Sequence, residues 1–223
     1  MEVRLLAYTP NPDKVVYVAG RLAYSNKKVE KLIKEAEDEQ KVARFLDMLW
    51  QRGHLSVYEH ASFTFLIEGC SRVCTHQLVR HRLASYTQQS QRYAGVKHHY
   101  ALPPTIVENN EVHSLLEQVE VLYNRLVEAG VPEEDARYIV PQAVKSRIVV
   151  TMNARELLHF FELRTCMHAQ LEIRKVAWQM LMLVQEVAPN LFKHAGPSCM
   201  TRHVCPENDV RCPMYERYIL NGR

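Results

Sequence analysis

"SFTFLIE", residues 62–68, sets Phe63, Phe65 and Ile67 against Ser62, Thr64 and Glu68. Side chains of a strand alternate between two faces, so this two-residue period predicts a half-buried β-strand with its apolar edge turned to a core. "SRIVVTM" at 146–152 predicts a second strand, and "EVRLLAY" at 2–8 an opening one. Between and after them the spacing is helical. Asn11 and Pro12 mark a short helix start, and from Asn26 to about Gly53 the pattern is helical and charged, with Val42, Phe45, Leu46 and Leu49 on one stripe. Helix is expected again from Cys70. "PPTIVENNEVH", 103–113, reads as a loop within a long connection near 95–112, after which Leu115, Leu116, Val119, Leu122, Leu126 and Val127 mark a helix closed by Gly130. Pro132 opens a short helix that Pro141 stops. Asn153 caps a helix to about Leu163, and beyond "RTCMH" a long helix runs to Pro189, its stripe of Val176, Met180, Leu183 and Val187 assigned to core or subunit interface. The expectation is an α+β fold, an antiparallel or mixed sheet packed with long helices, forming one domain over 1–223 whose Cys-containing tail, 197–223, is irregular.

The 223 residues are 47% hydrophobic and 24% charged, ordinary globular composition. A net charge of +3 is too small for a nucleic-acid coat but leaves room for local basic pockets that attract small anions. No apolar run is long enough to span a bilayer, and the opening "MEVRLLAYTPNPDK" lacks the order of a secretory signal, so no membrane partner and a cytoplasmic protein are expected. The six cysteines, at 70, 74, 166, 199, 205 and 212, then read as reduced thiols. His54 and His60 flank Glu59, and Cys199, Cys205 and Cys212 lie near His194 and His203. The tail has no Cys-x-x-Cys pair, however, and ordinary thiols are preferred there over zinc, with no metal ligand assigned.

"RHRLASYTQQSQRY", 80–93, concentrates three arginines, a histidine and a run of small polar side chains. On a regular helix over 70–84, Cys70, Val73, Cys74, Gln77, His81 and Ala84 share a face while Arg80 and Arg82 flank it on opposite sides. Either the helix unwinds, or the segment stands between two ligands or two subunits; the second is preferred. Guanidinium groups fork onto phosphates, and Ser-Tyr-Thr-Gln-Gln-Ser can act as an anion nest of backbone N–H groups and hydroxyls.

"RHRLASYTQQS" has the form Arg-His-Arg, seven residues, then Ser, and resembles the signature of the flavin-dependent thymidylate synthases. "RGHLSVYEH" (52–60), "HQLVRHR", "EEDARYIVP", "TMNARELLHFFELR" and "HAQLEIR" resemble further segments of that family in the same order, over about residues 50–175. The resemblance implies that family's single-domain fold, a homotetramer with active sites at subunit interfaces, and FAD, NADPH, 5,10-methylenetetrahydrofolate and dUMP as its ligands, with dTMP as product. It implies that Arg80, His81 and Arg82 hold the flavin, with Ser56, Glu59, Asn153, Arg155 and His159 lining its site. It puts Gln77, Arg80, Gln88, Gln89, Ser90, Gln91, Arg92, Arg137 and Arg164 on dUMP positions, Gln88 also facing the cofactor, and His54 and His168 close to the pocket. Thr87 and Gln88 stand where the pattern has Asn and Glu, His159 where it has an amide, and Ala23 where it has a serine.

Methylating C5 of uracil requires an electron-poor ring to become nucleophilic. Folate-only thymidylate synthases use a cysteine, usually within Pro-Cys-His, and this chain has no such tripeptide. Activation is therefore assigned to electrostatics, with Arg164 as the principal catalytic residue, set against the uracil N3 and O4 region. His54 and Ser90 are secondary candidates, Ser90 better suited to binding because no base adjoins it. The rival reading is a single-stranded nucleic-acid binding module in which Arg80, Arg82, Arg92 and Lys97 contact phosphates while Tyr86, Tyr93 and Tyr100 stack on bases. A flavoprotein oxidase or reductase without methyl transfer is a further alternative.

Overall fold

The computed structural model describes residues 1–92 and 99–220. Tyr93 and Lys97, named above, lie outside the described residues. Strands β1 (Glu2–Tyr8), β2 (Ser62–Ser71), β3 (Ala84–Gln88) and β4 (Lys145–Asn153) form one antiparallel sheet in the order β1-β2-β4-β3. The alternation of β2 and β4 meets in register: Phe63 faces Met152, Phe65 faces Val150 and Ile67 faces Ile148. All six are buried, each worth roughly 1.5–3 kcal/mol of transfer from water. The opposite face carries Thr64 and Thr151, whose hydroxyls bond at 2.9 Å, and Glu68 between Arg4 and Arg147.

Helices cover the apolar face. Helix α7 (Ala154–Arg164) follows β4 directly because Asn153 Oδ1 accepts from Glu156 N at 2.9 Å, a cap that turns the last strand residue into the first of the helix. It sends Leu157, Phe160 and Phe161 into the core, where they meet Val176, Ala177, Met180, Leu181 and Val184 of α8 (Leu171–Val187). Helix α1 (Pro12–Ala23) closes the other end, Asp13 accepting from the Asn190 and Leu191 backbone N–H groups at 3.1 Å each.

Several expectations change. The helical stretch 26–53 is two helices, α2 (Val29–Glu35) and α3 (Glu39–Gln51), because Asp38 accepts from Lys41 N at 3.1 Å and starts a new helix. Helix α5 (Asn110–Glu128) begins inside the expected loop, since Asn109 Oδ1 accepts from both Glu111 N and Val112 N, and the short helix opened by Pro132 is α6 (Glu133–Ala136). The helix expected from Cys70 starts two residues later, as α4 (Arg72–Leu78), with β2 running through Ser71. It also ends before Arg80, and Ala84–Gln88 is an extended edge strand paired with β4, so these residues form no backbone anion nest. The geometry of two arginines opposed on a regular helix does not arise. Tyr86 supplies the reason: its hydroxyl reaches the carbonyls of Leu78 at 2.9 Å and His81 at 2.7 Å, satisfying oxygens that a continuing helix would have used. Among its described residues the tail carries only the short helices α9 (Ser198–Thr201) and α10 (Pro213–Tyr215) and one wide turn, Glu216–Leu220. Among the described residues no helix is long and apolar enough to cross a membrane.

Candidate active site

The turn after α4 leaves Arg80 and Arg82 exposed and puts His81 between them at 4% exposure. Arg164, at the last turn of α7, donates from Nε to His81 Nε2 at 3.1 Å. An imidazole that accepts at Nε2 carries its proton on Nδ1, and that nitrogen faces Glu156 Oε1 at 3.5 Å. The His81 ring packs edge-on to Phe160, 4.9 Å between centroids. Burial first, then the charges of Arg164 and His159, lower its pKa to about 4, so it stays neutral and keeps its lone pair for Arg164. Burial likewise raises the Glu156 carboxyl. The result is a fixed guanidinium oriented by a neutral ring.

A second cluster is cationic. Arg137 Nε donates to the Glu134 carbonyl at 3.0 Å, Arg92 pairs with the Glu134 carboxylate at 2.6 Å, and Arg72 lies close enough to Arg137 that burial and the like charge together lower its pKa. Two guanidiniums held against their mutual repulsion suit a small dianion between them. Gln77 donates to Gln170, while Glu172 accepts from Ser71 N at 2.7 Å and from its hydroxyl at 2.5 Å. Gln89 is tied to Arg147 at 3.1 Å. Gln88 turns inward, its amide donating to Thr75 Oγ1 at 3.1 Å and Ser146 Oγ at 3.0 Å, which spends its donors on the protein. Ser90 Oγ accepts from Arg92 N at 3.0 Å.

The third group borders the start of α7. Ser56 opens a 3₁₀ turn, Ser56–His60, which carries Glu59 to Arg155 at 2.5 Å. Arg155 and His159, one helical turn apart, line a cavity of about 150 Å³ with Trp50, Leu55, Leu158 and Glu162. His54 stacks on Tyr24 and its Nδ1 meets the tyrosine hydroxyl at 2.5 Å. His168 pairs with Asp209 of the tail at 3.1 Å and lines, with Arg164, another cavity of about 260 Å³.

Sequence reasoning gave Tyr86 only a base-stacking part in the rival reading and assigned none to Arg72, Glu156, Gln170 or Glu172. The last two stand inside "HAQLEIR". Tyr86 carried no clear signal, since the inward positions of its strand, Ala84, Tyr86 and Gln88, form no apolar series. Glu156 carried none, because an acidic residue in a first helical turn ordinarily faces water.

Residues 4–190 match the model of the thymidylate synthase complementing protein family, a segment that stops short of the tail. The chain is 47% identical over 219 residues to the flavin-dependent thymidylate synthase of Geobacter sulfurreducens, covering 95% of this chain and 94% of the relative. It is 46% identical over 233 residues to the enzyme of the same name from Clostridium tetani, with coverage of 95% and 93%. The Pyrococcus furiosus flavin-dependent thymidylate synthase is 44% identical over 230 residues, with coverage of 96% and 92%. Among solved structures, the UMP/dUMP methylase PolB from Streptomyces cacaoi, crystallised with 5-Br dUMP, superposes with a TM-score of 0.75 at 26% identity, covering 86% of this chain and 93% of that one.

Proposed function

The chain belongs to the flavin-dependent thymidylate synthase family, and on that premise we propose that it methylates C5 of dUMP to give dTMP, with FAD bound, 5,10-methylenetetrahydrofolate as carbon donor and NADPH as reductant. The observation that carries the reading is the Arg164–His81 bond, which aims a permanent charge without a titrating partner.

The donor set suits the flavin. Arg80, Arg82 and Arg155 offer fixed positive charge to a pyrophosphate, Glu59 holds Arg155, and His159 lines the same cavity as Arg155, while Ser56 opens the turn that carries Glu59 and Asn153 caps α7. When bound, the flavin supplies the hydride that completes the methyl group. Arg164 would stand against the uracil N3 and O4 edge and favour the ionised, enolate-like ring, work that other thymidylate synthases give to a cysteine. Cys74 is ill suited to that attack: it is buried, its thiol pushed up by the neighbouring Cys70 sulfur and by burial. Arg72 and Arg137 would take the 5′-phosphate, with Gln77, Gln89, Ser90, Gln91 and Arg92 toward the rest of the nucleotide. Gln88 supports that wall from behind. His54 and His168 border the pocket. Exposed Arg80 and Arg82 beside an edge strand support sites completed between subunits of a cytoplasmic homotetramer.

One assay tests the reading: purified protein with FAD, dUMP, labelled methylenetetrahydrofolate and NADPH, followed for label in dTMP. Label is expected in dTMP, and only with NADPH present. Oxidation of NADPH without dTMP would replace the reading with a plain flavoprotein reductase, and colourless protein that binds oligonucleotides with steep salt dependence would replace it with a nucleic-acid module.

A further inference from the structure

The tail lies beyond the segment matched by the family model, and its packing is unusual. From Thr201 to Leu220 no residue is buried, and Val204, Val210 and Leu220 are exposed. Its helices are too short to hold themselves, since a helix of a few residues does not repay its nucleation. His203 and Asn208 adopt left-handed backbone, at φ 54° and 46°, a small cost with no core to offset it. Yet the segment folds back on the end of α7, with Ser198 Oγ donating to Glu162 at 2.6 Å and Asp209 reaching His168. A short stretch without a core that keeps a defined path is ordinarily held by disulfides or a metal.

The folding brings thiols together. Cys166, on the link between α7 and α8, lines the 260 Å³ cavity with Cys199 and Cys205. Cys212 is also within electrostatic reach of Cys199, whose thiol is raised by burial and then by Cys166, Cys205 and Cys212. All are free thiols. Four of the six cysteines thus converge from one interhelical link and one tail, while Cys70 and Cys74 pair elsewhere in the core. Sequence spacing obscured this, because the fourth member is far from the other three and no Cys-x-x-Cys pair announces it.

We propose that Cys166, Cys199, Cys205 and Cys212 form a structural zinc site that staples the tail to the end of α7. Four soft thiolates with no position left open suit tetrahedral zinc in a structural rather than a catalytic role. Binding releases the thiol protons to solvent and leaves a dianionic centre, near which the cavity also presents Arg164. Among the described residues no three such side chains stand at metal-ligand spacing, so binding has to bring the thiols closer together than they stand here.

The test uses the full chain purified under reducing conditions without a metal-affinity resin. About one zinc per chain is expected by elemental analysis. After dialysis against a mild chelator, Cys166→Ser and Cys212→Ser should each retain roughly tenfold less zinc than wild type, while Cys70→Ser retains it. In case a serine variant does not fold, chelator-stripped wild type is titrated with Co²⁺, where thiolate-to-cobalt charge-transfer absorption is expected, and its tail should become sensitive to limited proteolysis and regain resistance with zinc alone. Protein that is fully reduced yet takes up neither zinc nor Co²⁺ overturns the proposal. So do tail disulfides found by mass spectrometry, iron in place of zinc, or full zinc retention in Cys166→Ser. None of these readouts depends on turnover.

Discussion

Arg164 reaches across 83 residues of sequence to donate its Nε–H to the buried Nε2 of His81 at 3.1 Å. The bond couples the orientation of a permanently charged group to the protonation of a neutral one, and it ties the end of α7 to the turn between α4 and β3.

Replacing Arg164 by Ala should leave bound flavin in place while lowering the rate of dTMP formation by roughly 10²–10³, the scale of losing one fixed charge that stabilises a transition state. Arg164→Lys should recover little, because a point charge without the planar Nε–H cannot repeat the bond to His81. Flavin absorbance of the purified variants and single-turnover label transfer separate the two effects; full activity in either variant removes the assignment.

His81 has its proton affinity depressed in the folded state, to about 4, so the unfolded chain binds more protons between that value and the usual imidazole range near 6.5. Stability from this group is therefore present at neutral pH and lost as pH falls through that window. The loss should be about 2 kcal/mol between pH 7 and 4.5, partly offset by Glu156, whose raised carboxyl works in the opposite direction. Urea melts at both pH values should show His81→Asn losing less than wild type over that interval. An identical loss in both would refute the account.

Glu59 and Arg155 are exposed, and an exposed pair is worth about 0–1 kcal/mol. Arg155→Ala should accordingly melt close to wild type but bind FAD at least tenfold more weakly, because one of the charges facing the cofactor is gone. Parallel thermal melts and flavin fluorescence titrations check this, and a large drop in melting temperature with unchanged FAD affinity would be the contrary result.

Asp13 ties together two helices of the scaffold. Its carboxylate accepts from Asn190 Nδ2 at 2.7 Å and from two backbone N–H groups at 3.1 Å, joining α1 to the end of α8. Asp13→Ala leaves three donors without that acceptor and should cost about 2–3 kcal/mol in denaturant melts, with KM for dUMP unchanged.

Tyr86→Phe removes the hydroxyl that meets the Leu78 and His81 carbonyls and should cost about 1–2 kcal/mol. Because that turn carries Arg80 and Arg82, FAD affinity should fall as well. A variant that loses stability but not FAD affinity would show the turn holding its shape by other means.

Much of the scaffold was legible in the chain itself. Phe63, Phe65 and Ile67 declare a strand because burial on one face of a pleated backbone imposes a period of two, and Asn153 declares a helix start because its oxygen meets an N–H three residues on. Those rules act between near neighbours, so sequence alone determines them, together with the arginine-rich segment on which the resemblance rested. The edge strand Ala84–Gln88 was hidden because its inward residues are Ala, Tyr and Gln rather than a clear apolar series, and its pairing energy comes from β4, distant in sequence. Only tertiary structure decided that His81 is buried and neutral beneath Arg164, that Gln88 faces inward, and that Cys166 meets the cysteines of the tail. Each depends on where remote segments come to rest, which is set by how the helices close over the sheet and carries no signature in any single stretch of residues.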